Sequence, residues 1–385
     1  CPIAASFPMN IAILGTSKKE NERRLPIHPG HFSQISPALR ARMIFEEGYG
    51  EPFGVSDTEI TAQFGGVMAR HILLEESDLV VLAKPAEEDV ASLKHGATLW
   101  GWIHCVQNPT ITQIAIDKKL TFITWESMNK WDESGNFQSH VFSVNNQIAG
   151  YAGVIHALTL RGMEGIYGPS KKIVLINTGQ VSVGAMRALA SFGFSGIHVV
   201  SARPSNSQDA VFQQATFYEL LSEQFGSLQI QHNEKIFPLM ELLQDADVII
   251  NGILQNPLQP LMFVQPDEEN LLKPGCLIID ISCDTAMGFP FSRATSFDEP
   301  LLNMGKVFYY AVDHTPSLLW QSATWAISKA LLPFWQTIIS GEEAVKDCPV
   351  LSRAIEINQG HILHQGILQF QNREKTFPHK VISRP

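Results

Sequence analysis

Two residues able to exchange protons stand at matching places in neighbouring apolar runs. Lys84 ends the run "VVLAKP" and His104 ends "GWIHC". A lysine walled by apolar groups holds its proton less tightly and can do acid–base work. Either residue alone can be structural; at adjacent strand ends the two could share one site. Upstream, "NERRLPIHP" carries Arg23 and Arg24. Arginine grips a carboxylate in a two-pronged fork, which makes a carboxylate substrate plausible; the alternative is a surface charge pair. Asp280 and Asp284 in "IIDISCDTA" and Asp313 and His314 in "AVDHTPS" also sit at strand ends. Asp280 could simply cap its strand, and Asp284 in the loop is the better site candidate. His28, His71 and His361 show no metal-ligand spacing, so no metal site is expected.

A second kind of chemistry is offered by "NTGQVSVGA", residues 177–185, between the apolar run "KKIVLI" and the helical pattern "MRALASFG". Strand, tight turn and helix in this order suit a dinucleotide. The helix N-terminus offers unpaired N–H groups and partial positive charge to a pyrophosphate, and glycine lets the backbone approach it. Gly179 and Gly184 are present, while Asn177 and Ser182 replace the first and third glycines of G-x-G-x-x-G. Asn tolerates unusual backbone angles, and Ser is the smallest replacement for the third. The next strand ends in "SARPS", with no Asp or Glu for a ribose hydroxyl. Ser201, Arg203 and Ser205 stand where a 2′-phosphate would lie, which favours NADP(H) over NAD(H). The alternative for Arg203 is a solvated surface arginine.

The elements that must position these residues are short apolar runs alternating with helical patterns, the signature of α/β units and a mostly parallel sheet. "MNIAILG", "ARMIFEE", "DLVVLAK", "TLWGWIH" and "LTFITWE" read as strands, with "NPTITQIAIDKK" helical between them. The helical stretch "NNQIAGYAGVIHALTLRG" leads to a second group, "KKIVLIN", "GIHVVSA", "ADVIING", "GCLIIDIS" and "KVFYYAVD". After Pro316 the pattern is helical to about Gly341, and the polar, basic tail from Asn372 reads as a frayed end. The expected fold is two Rossmann-like doubly wound domains with a cleft between them. The boundary falls near residue 146.

A chain of 385 residues with 45% hydrophobic content can fill two cores. A net charge of −10 argues against nucleic acid as a partner. No apolar run reaches the roughly 18 residues of a membrane span. The five cysteines are scattered without C-x-x-C, which predicts reduced thiols and a cytoplasmic protein. Cys1 to Pro8 is uncharged, a poor signal peptide, and Met9 could be a native start. A homo-oligomer is allowed but not indicated.

Together, "ERRLPIHP", "KPAEEDVASLKHGATLWGWIHCVQN", "IAGYAGVIHAL", "ADVIINGIL", "IIDISCDTA" and "VDHTPSLL" resemble, in order, the superfamily of alanine dehydrogenase, transhydrogenase and lysine-forming saccharopine dehydrogenase. The match runs from about Met9 to Leu332. "IDISCDT" and "VDHTPSLL" are most similar to saccharopine dehydrogenase and carboxyethyl-ornithine synthase; simple alanine dehydrogenases carry Asn-Met-Pro in place of His314-Thr315-Pro316. The resemblance implies that the C-terminal segment returns to the first domain: 9–145 plus 316–385 as the substrate and catalytic domain, 146–315 as the dinucleotide-binding domain. It implies Arg24 at a substrate carboxylate, and Lys84 and His104 as the acid–base pair. Gly179, Gln180 and Val181 would hold the pyrophosphate, with Ser201 and Arg203 at the ribose. Ile253, Val312, Asp313, His314 and Thr315 would line the nicotinamide.

The activity implied is that of an opine-type dehydrogenase, using NADPH to condense a 2-keto acid (pyruvate or 2-oxoglutarate) reductively with the amine of an ornithine- or lysine-type amino acid. Two departures tilt the keto acid toward pyruvate. Pro109 stands five residues after His104, where the saccharopine enzymes carry Gln, and "GNFQSHVFSVNNQIAG" lacks their arginine. The alternatives are an alanine-dehydrogenase-like enzyme using ammonia and a non-catalytic NADP-binding module.

Overall fold

The computed structural model describes residues 10–202, 209–224, 227–253, 260–283 and 287–382. Met9, Arg203, Ser205 and Asp284 lie outside the described residues. Among the described residues no helix is long and apolar enough to cross a membrane. Backbone contacts divide the chain into two units: Cys1–Phe142 with Trp320–Pro385, and Ser143–Leu319.

All ten apolar runs named above form strands. In the first unit these are β1 (Ile11–Ile13), β2 (Met43–Glu46), β4 (Leu79–Val81), β5 (Thr98–Gly101) and β6 (Thr121–Thr124), joined by β3 (Gly66–Met68). They pair in parallel in the order β6-β5-β4-β1-β2-β3. The strands are apolar on both faces because both faces are covered. Ile11, Ile13, Leu79 and Val81 enter one core cluster, while Ala12 and Val80 enter the other. That alternation is the period of two expected of a strand. A small hairpin, β7 (Asn129–Trp131) with β8 (Phe137–His140), follows β6.

The second unit repeats the plan. Its parallel strands are β9 (Ile173–Ile176), β10 (His198–Ser201), β11 (Thr216–Gln224), β14 (Val248–Asn251), β15 (Leu277–Asp280) and β17 (Val307–Tyr310), in the order β11-β10-β9-β14-β15-β17. Antiparallel strands extend both edges: β12 (Ser227–His232) and β13 (Lys235–Pro238) beyond β11, and β16 (Leu301–Met304) beyond β17. Val174, Ile249 and Ile278 enter one core cluster, and Ile173, Val248 and Leu277 the other.

The chain then returns to the first unit. The helical pattern after Pro316 is interrupted by a 3-10 turn, Leu332–Phe334, because Pro333 cannot continue an α-helix. β18 (Ile355–Asn358) adds antiparallel to β6, and β19 (His361–Ile362) to β18. From Asn372 to Ile382 the tail is not frayed. Arg373 and His379 are buried, and the Arg373 guanidinium donates to Gln371 Oε1, Gln113 Oε1 and the His379 carbonyl. Hydrogen bonds rather than apolar area order this segment, so its polar composition gave no sign of it.

In the second unit the helices Ser143–Leu160 and Gln180–Ser191 meet backbone to backbone. A Cβ on Gly184 would lie 1.8 Å from the Gln147 carbonyl oxygen, and one on Gly150 would lie 1.8 Å from that of Val181. Only glycine permits this approach, which seats the helix that begins at the 177–182 loop. We expect Gly184→Ala to destabilise the second unit by about 3 kcal/mol, the upper end of overpacking costs. Urea unfolding measures it; an unchanged midpoint would mean the two helices separate without penalty.

Candidate active site

In doubly wound sheets, ligands bind beyond the C-terminal strand ends where the strand order reverses. In the first unit that point lies between β1 and β4. The loops that follow them are tied together, since Ser17 Oγ donates to the Lys84 carbonyl at 2.7 Å. β5 ends beside them at Gly101, where a Cβ would sit 1.9 Å from the Leu82 carbonyl oxygen. The chain then turns at His104, whose backbone is left-handed with φ 52°. Such a conformation is strained for a residue with a Cβ and persists only where neighbours hold it. After a 3-10 turn, Cys105–Gln107, the helix Pro109–Asp117 starts, with Asn108 Oδ1 accepting from the Ile111 N–H and Pro at the first position.

Lys84 Nζ lies 3.2 Å from His104 Nε2. On the other side, the His104 backbone N–H donates to Glu126 Oε1 at 2.5 Å, and His104 Nδ1 is 3.9 Å from that oxygen. Lys84, His104 and Glu126 therefore form one line across the ends of β4, β5 and β6. Lys84 and His104 border a cavity of about 370 Å³ whose wall also includes Lys18, Lys19, Glu87 and Trp102. Burial pushes the Glu126 carboxyl up, and the charge of Glu356 adds to this. Backbone N–H donors and Lys84 pull it down, leaving it at about 8. Glu126 was missed in the sequence. The signal was available, because it follows "FITW" as Lys84 and His104 follow their own strands.

Arg24 is only 4% exposed. Its fork is engaged by Glu22, with Nε 2.9 Å from Oε1 and Nη2 2.7 Å from Oε2. The guanidinium also lies 4.5 Å from the centroid of Trp102, a cavity residue. Burial works to raise the Glu22 carboxyl, but Arg24 by charge and hydrogen bonds, with Lys84, brings it down to about 2. Glu22 is the second residue that sequence reasoning missed: a partner two positions away in a loop has no periodic signature.

In the second unit the strand order reverses between β9 and β14. Asn177 has φ 93° and its Nδ2 donates to the Gly252 carbonyl at 3.0 Å, tying the two loops at that point. Gly179 caps the helix Gln180–Ser191 in extended backbone, without any side-chain cap. The N–H groups of Gln180, Val181 and Ser182 stand in the first turn, which has no intrahelical acceptors for them. Among the described residues Ser182 Oγ is buried and has no hydrogen-bond partner. A pyrophosphate of a nicotinamide dinucleotide fits this uncapped turn.

The other expected cofactor residues fall as follows. Ser201 is buried at the end of β10, its Oγ 3.2 Å from Thr178 Oγ1 in the loop. The Ile253 N–H donates to Asn251 Oδ1 at 3.2 Å. Val312 is buried after β17, the Asp313 carboxylate contacts His314 Nδ1, and Thr315 Oγ1 donates to the Ala149 carbonyl at 2.8 Å. Asp280 does more than cap its strand. It accepts from Asn251 Nδ2 at the end of β14, Tyr309 OH on β17 and Ser292 Oγ in the loop after β15, and binds the three together. Burial pushes its carboxyl up against these hydrogen bonds, to about 6.

A carboxyl raised from 4.5 to about 8 makes stability depend on pH. The folded protein holds the Glu126 proton above the pH at which the unfolded chain loses it. The resulting stability is complete below about pH 4.5 and is lost as pH rises through about 8. We expect Glu126→Gln to remove this decline, so that the wild type loses ground to the variant between these limits. Urea midpoints across the range test it; parallel curves would contradict a raised Glu126.

The family description "Alanine dehydrogenase/PNT, N-terminal domain" matches residues 15–149, and "Alanine dehydrogenase/PNT, C-terminal domain" matches 152–365. The N(5)-(carboxyethyl)ornithine synthase of Clostridium botulinum is 25% identical, over 80% of this chain and 89% of that one. The alanine dehydrogenase of Mycolicibacterium smegmatis is 22% identical, over 91% and 94%. Among solved structures, an L-alanine dehydrogenase superposes with a TM-score of 0.74 at 18% identity, covering 94% of this chain and 99% of that one. The transhydrogenase of Sinorhizobium meliloti does so with 0.68 at 16%, covering 92% and 98%. These two structures bear on the fold alone, whereas the two family matches together span most of the chain. The chain belongs to the alanine dehydrogenase/PNT family, and is an NAD(P)-dependent oxidoreductase acting on CH–NH bonds.

Proposed function

We propose that this protein is an opine-type dehydrogenase that uses NADPH to join a 2-keto acid, pyruvate or 2-oxoglutarate, to the amine of an ornithine- or lysine-type amino acid. The observation that carries the reading is the 3.2 Å contact between Lys84 and His104, backed by Glu126. Condensation of amine and ketone moves protons twice. The attacking amine must lose one, and the carbinolamine hydroxyl must gain one to leave as water. Two adjacent groups of different basicity can do both. Lys84 faces the reacting carbon in this reading, and His104 exchanges protons with it. Arg24, steadied by Glu22 and Trp102, orients the keto-acid carboxylate. Lys18, ion-paired with Glu88, and Lys19 stand at the cavity wall beside Glu87.

The second unit holds the cofactor through Gly179, Gln180, Val181 and Ser201, with Ile253 and Val312 to Thr315 at the nicotinamide. When bound, the nicotinamide supplies the hydride that reduces the imine carbon. The choice of NADPH rests on residues 201–205, Ser-Ala-Arg-Pro-Ser, which offer Arg203 and two hydroxyls to a 2′-phosphate and no carboxylate to a ribose. Two relatives named N(5)-(carboxyethyl)ornithine synthase, each 25% identical, support the opine reading. Relatives named alanine dehydrogenase keep ammonia as the second reading. His314, where the resemblance places Asn in simple alanine dehydrogenases, favours the first.

Lys84→Ala is expected to lower kcat by about a thousandfold, within the range of lost acid–base catalysis, with cofactor affinity unchanged. Steady-state turnover and fluorescence titration with NADPH measure the two. Full turnover in the variant would remove Lys84 from the chemistry and the mechanism with it.

A further inference from the structure

The returning C-terminal segment puts one more carboxylate behind the Lys84–His104 pair. Glu356 lies on β18, beside β6, and is 2% exposed. Its Oε1 accepts from Thr124 Oγ1 at 2.8 Å and from Ser127 Oγ at 2.6 Å. Its Oε2 accepts from Cys105 Sγ at 2.8 Å. Cys105 directly follows His104, and Ser127 directly follows Glu126. A single buried carboxylate is thus fastened to both turns that carry the line. Gln371 grips the His104 turn from the same segment, its Nε2 donating to the Cys105 carbonyl at 2.7 Å and to Thr112 Oγ1 at 2.9 Å.

A strut alone does not need a carboxylate. Burying one among hydroxyl and thiol donors costs desolvation that an amide or an apolar side chain would avoid. The strained backbone at His104 needs neighbours that hold it, and Glu356 reaches it through the adjoining thiol. We propose that Glu356 is a positioning residue for the reaction: it holds the His104 and Glu126 turns in register, and its negative charge keeps a proton available on the line Glu126–His104–Lys84.

This rests on the proposed function, in which Lys84 and His104 pass protons. The titratable groups around Glu126 are Lys84, His104, Glu356 and Cys105, with the His140 ring on its backbone carbonyl. After burial, Glu356 is the main influence that raises the Glu126 carboxyl. The buried Cys105 thiol is pushed up in the same way.

Two variants test the proposal. Glu356→Gln keeps the shape and one oxygen for Thr124 and Ser127 but removes the charge. Its Glu126 carboxyl, followed by 13C NMR in the ligand-free protein and assigned with Glu126→Gln, should titrate about one pH unit or more below the wild type. The pH profile of kcat should move the same way. Glu356→Ala also removes the fastening, and kcat should fall about a hundredfold with the KM for NADPH unchanged, the cost of about 1 Å of misplacement. A wild-type Glu126 titration in Glu356→Gln together with wild-type kcat in Glu356→Ala would overturn the proposal. Should the alanine variant not fold, the Glu126 titration in the glutamine variant decides alone. Absence of turnover by the wild type with every keto acid and amine would defeat the proposed function, while the titration would still decide the role of Glu356.

Discussion

A hydrogen bond between Lys84 Nζ and His104 Nε2 asks for one proton and one lone pair, so the two nitrogens cannot both be saturated with protons. Two full cations that far apart repel by roughly 5 kcal/mol at an effective dielectric of 20. The 3.2 Å contact is therefore a constraint on charge as well as on position. Of the carboxyl groups nearby, Glu22 is paired with Arg24, and Glu126 accepts the His104 N–H. The sheet meets the positional demand: parallel strands bring three successive C-terminal ends side by side, and Gly101 lets the third loop pass close to the first.

Both units share the strand order 3-2-1-4-5-6 in chain sequence, yet they furnish the reversal point differently. In the first unit it is lined by lysines and a histidine, which suits an anionic substrate and proton transfer. In the second it offers an uncapped helix turn, an asparagine in left-handed backbone and a buried serine hydroxyl, which suits phosphate. Each unit also holds a buried carboxylate that fastens neighbouring loops at this edge, Glu356 in the first and Asp280 in the second. One architecture thereby serves two chemistries, and the difference lies in a few loop residues.

The parallel cores were legible because a strand buried on both faces is a continuous apolar run, and all ten such runs are strands. Lys84 and His104 were legible for the same reason, as charged residues where such runs stop. The parallel strands β3 and β11 and the antiparallel additions were not. β11 to β13 carry Glu, Gln, Ser and His among their apolar residues, and a strand interrupted in this way lacks a run to detect. Glu22 and Glu356 were missed for a different reason. Each acts through a partner, two residues away in a loop for Glu22 and 229 to 251 residues away for Glu356, and neither relation leaves a periodic trace. The tail after Asn372 read as frayed because hydropathy measures apolar burial, whereas Arg373 and His379 are held by hydrogen bonds.

In the proposed reaction Lys84 and His104 serve a condensation between two organic substrates, with hydride drawn from NADPH. The direct measurement is oxidation of NADPH, with NADH alongside, using pyruvate or 2-oxoglutarate crossed with ornithine, lysine, other amino acids and ammonia. The account predicts turnover only when a keto acid and an amino acid are both present, and faster with NADPH than with NADH. Turnover with keto acid and ammonia in the absence of any amino acid would contradict it and make the protein a deaminating-type amino-acid dehydrogenase instead.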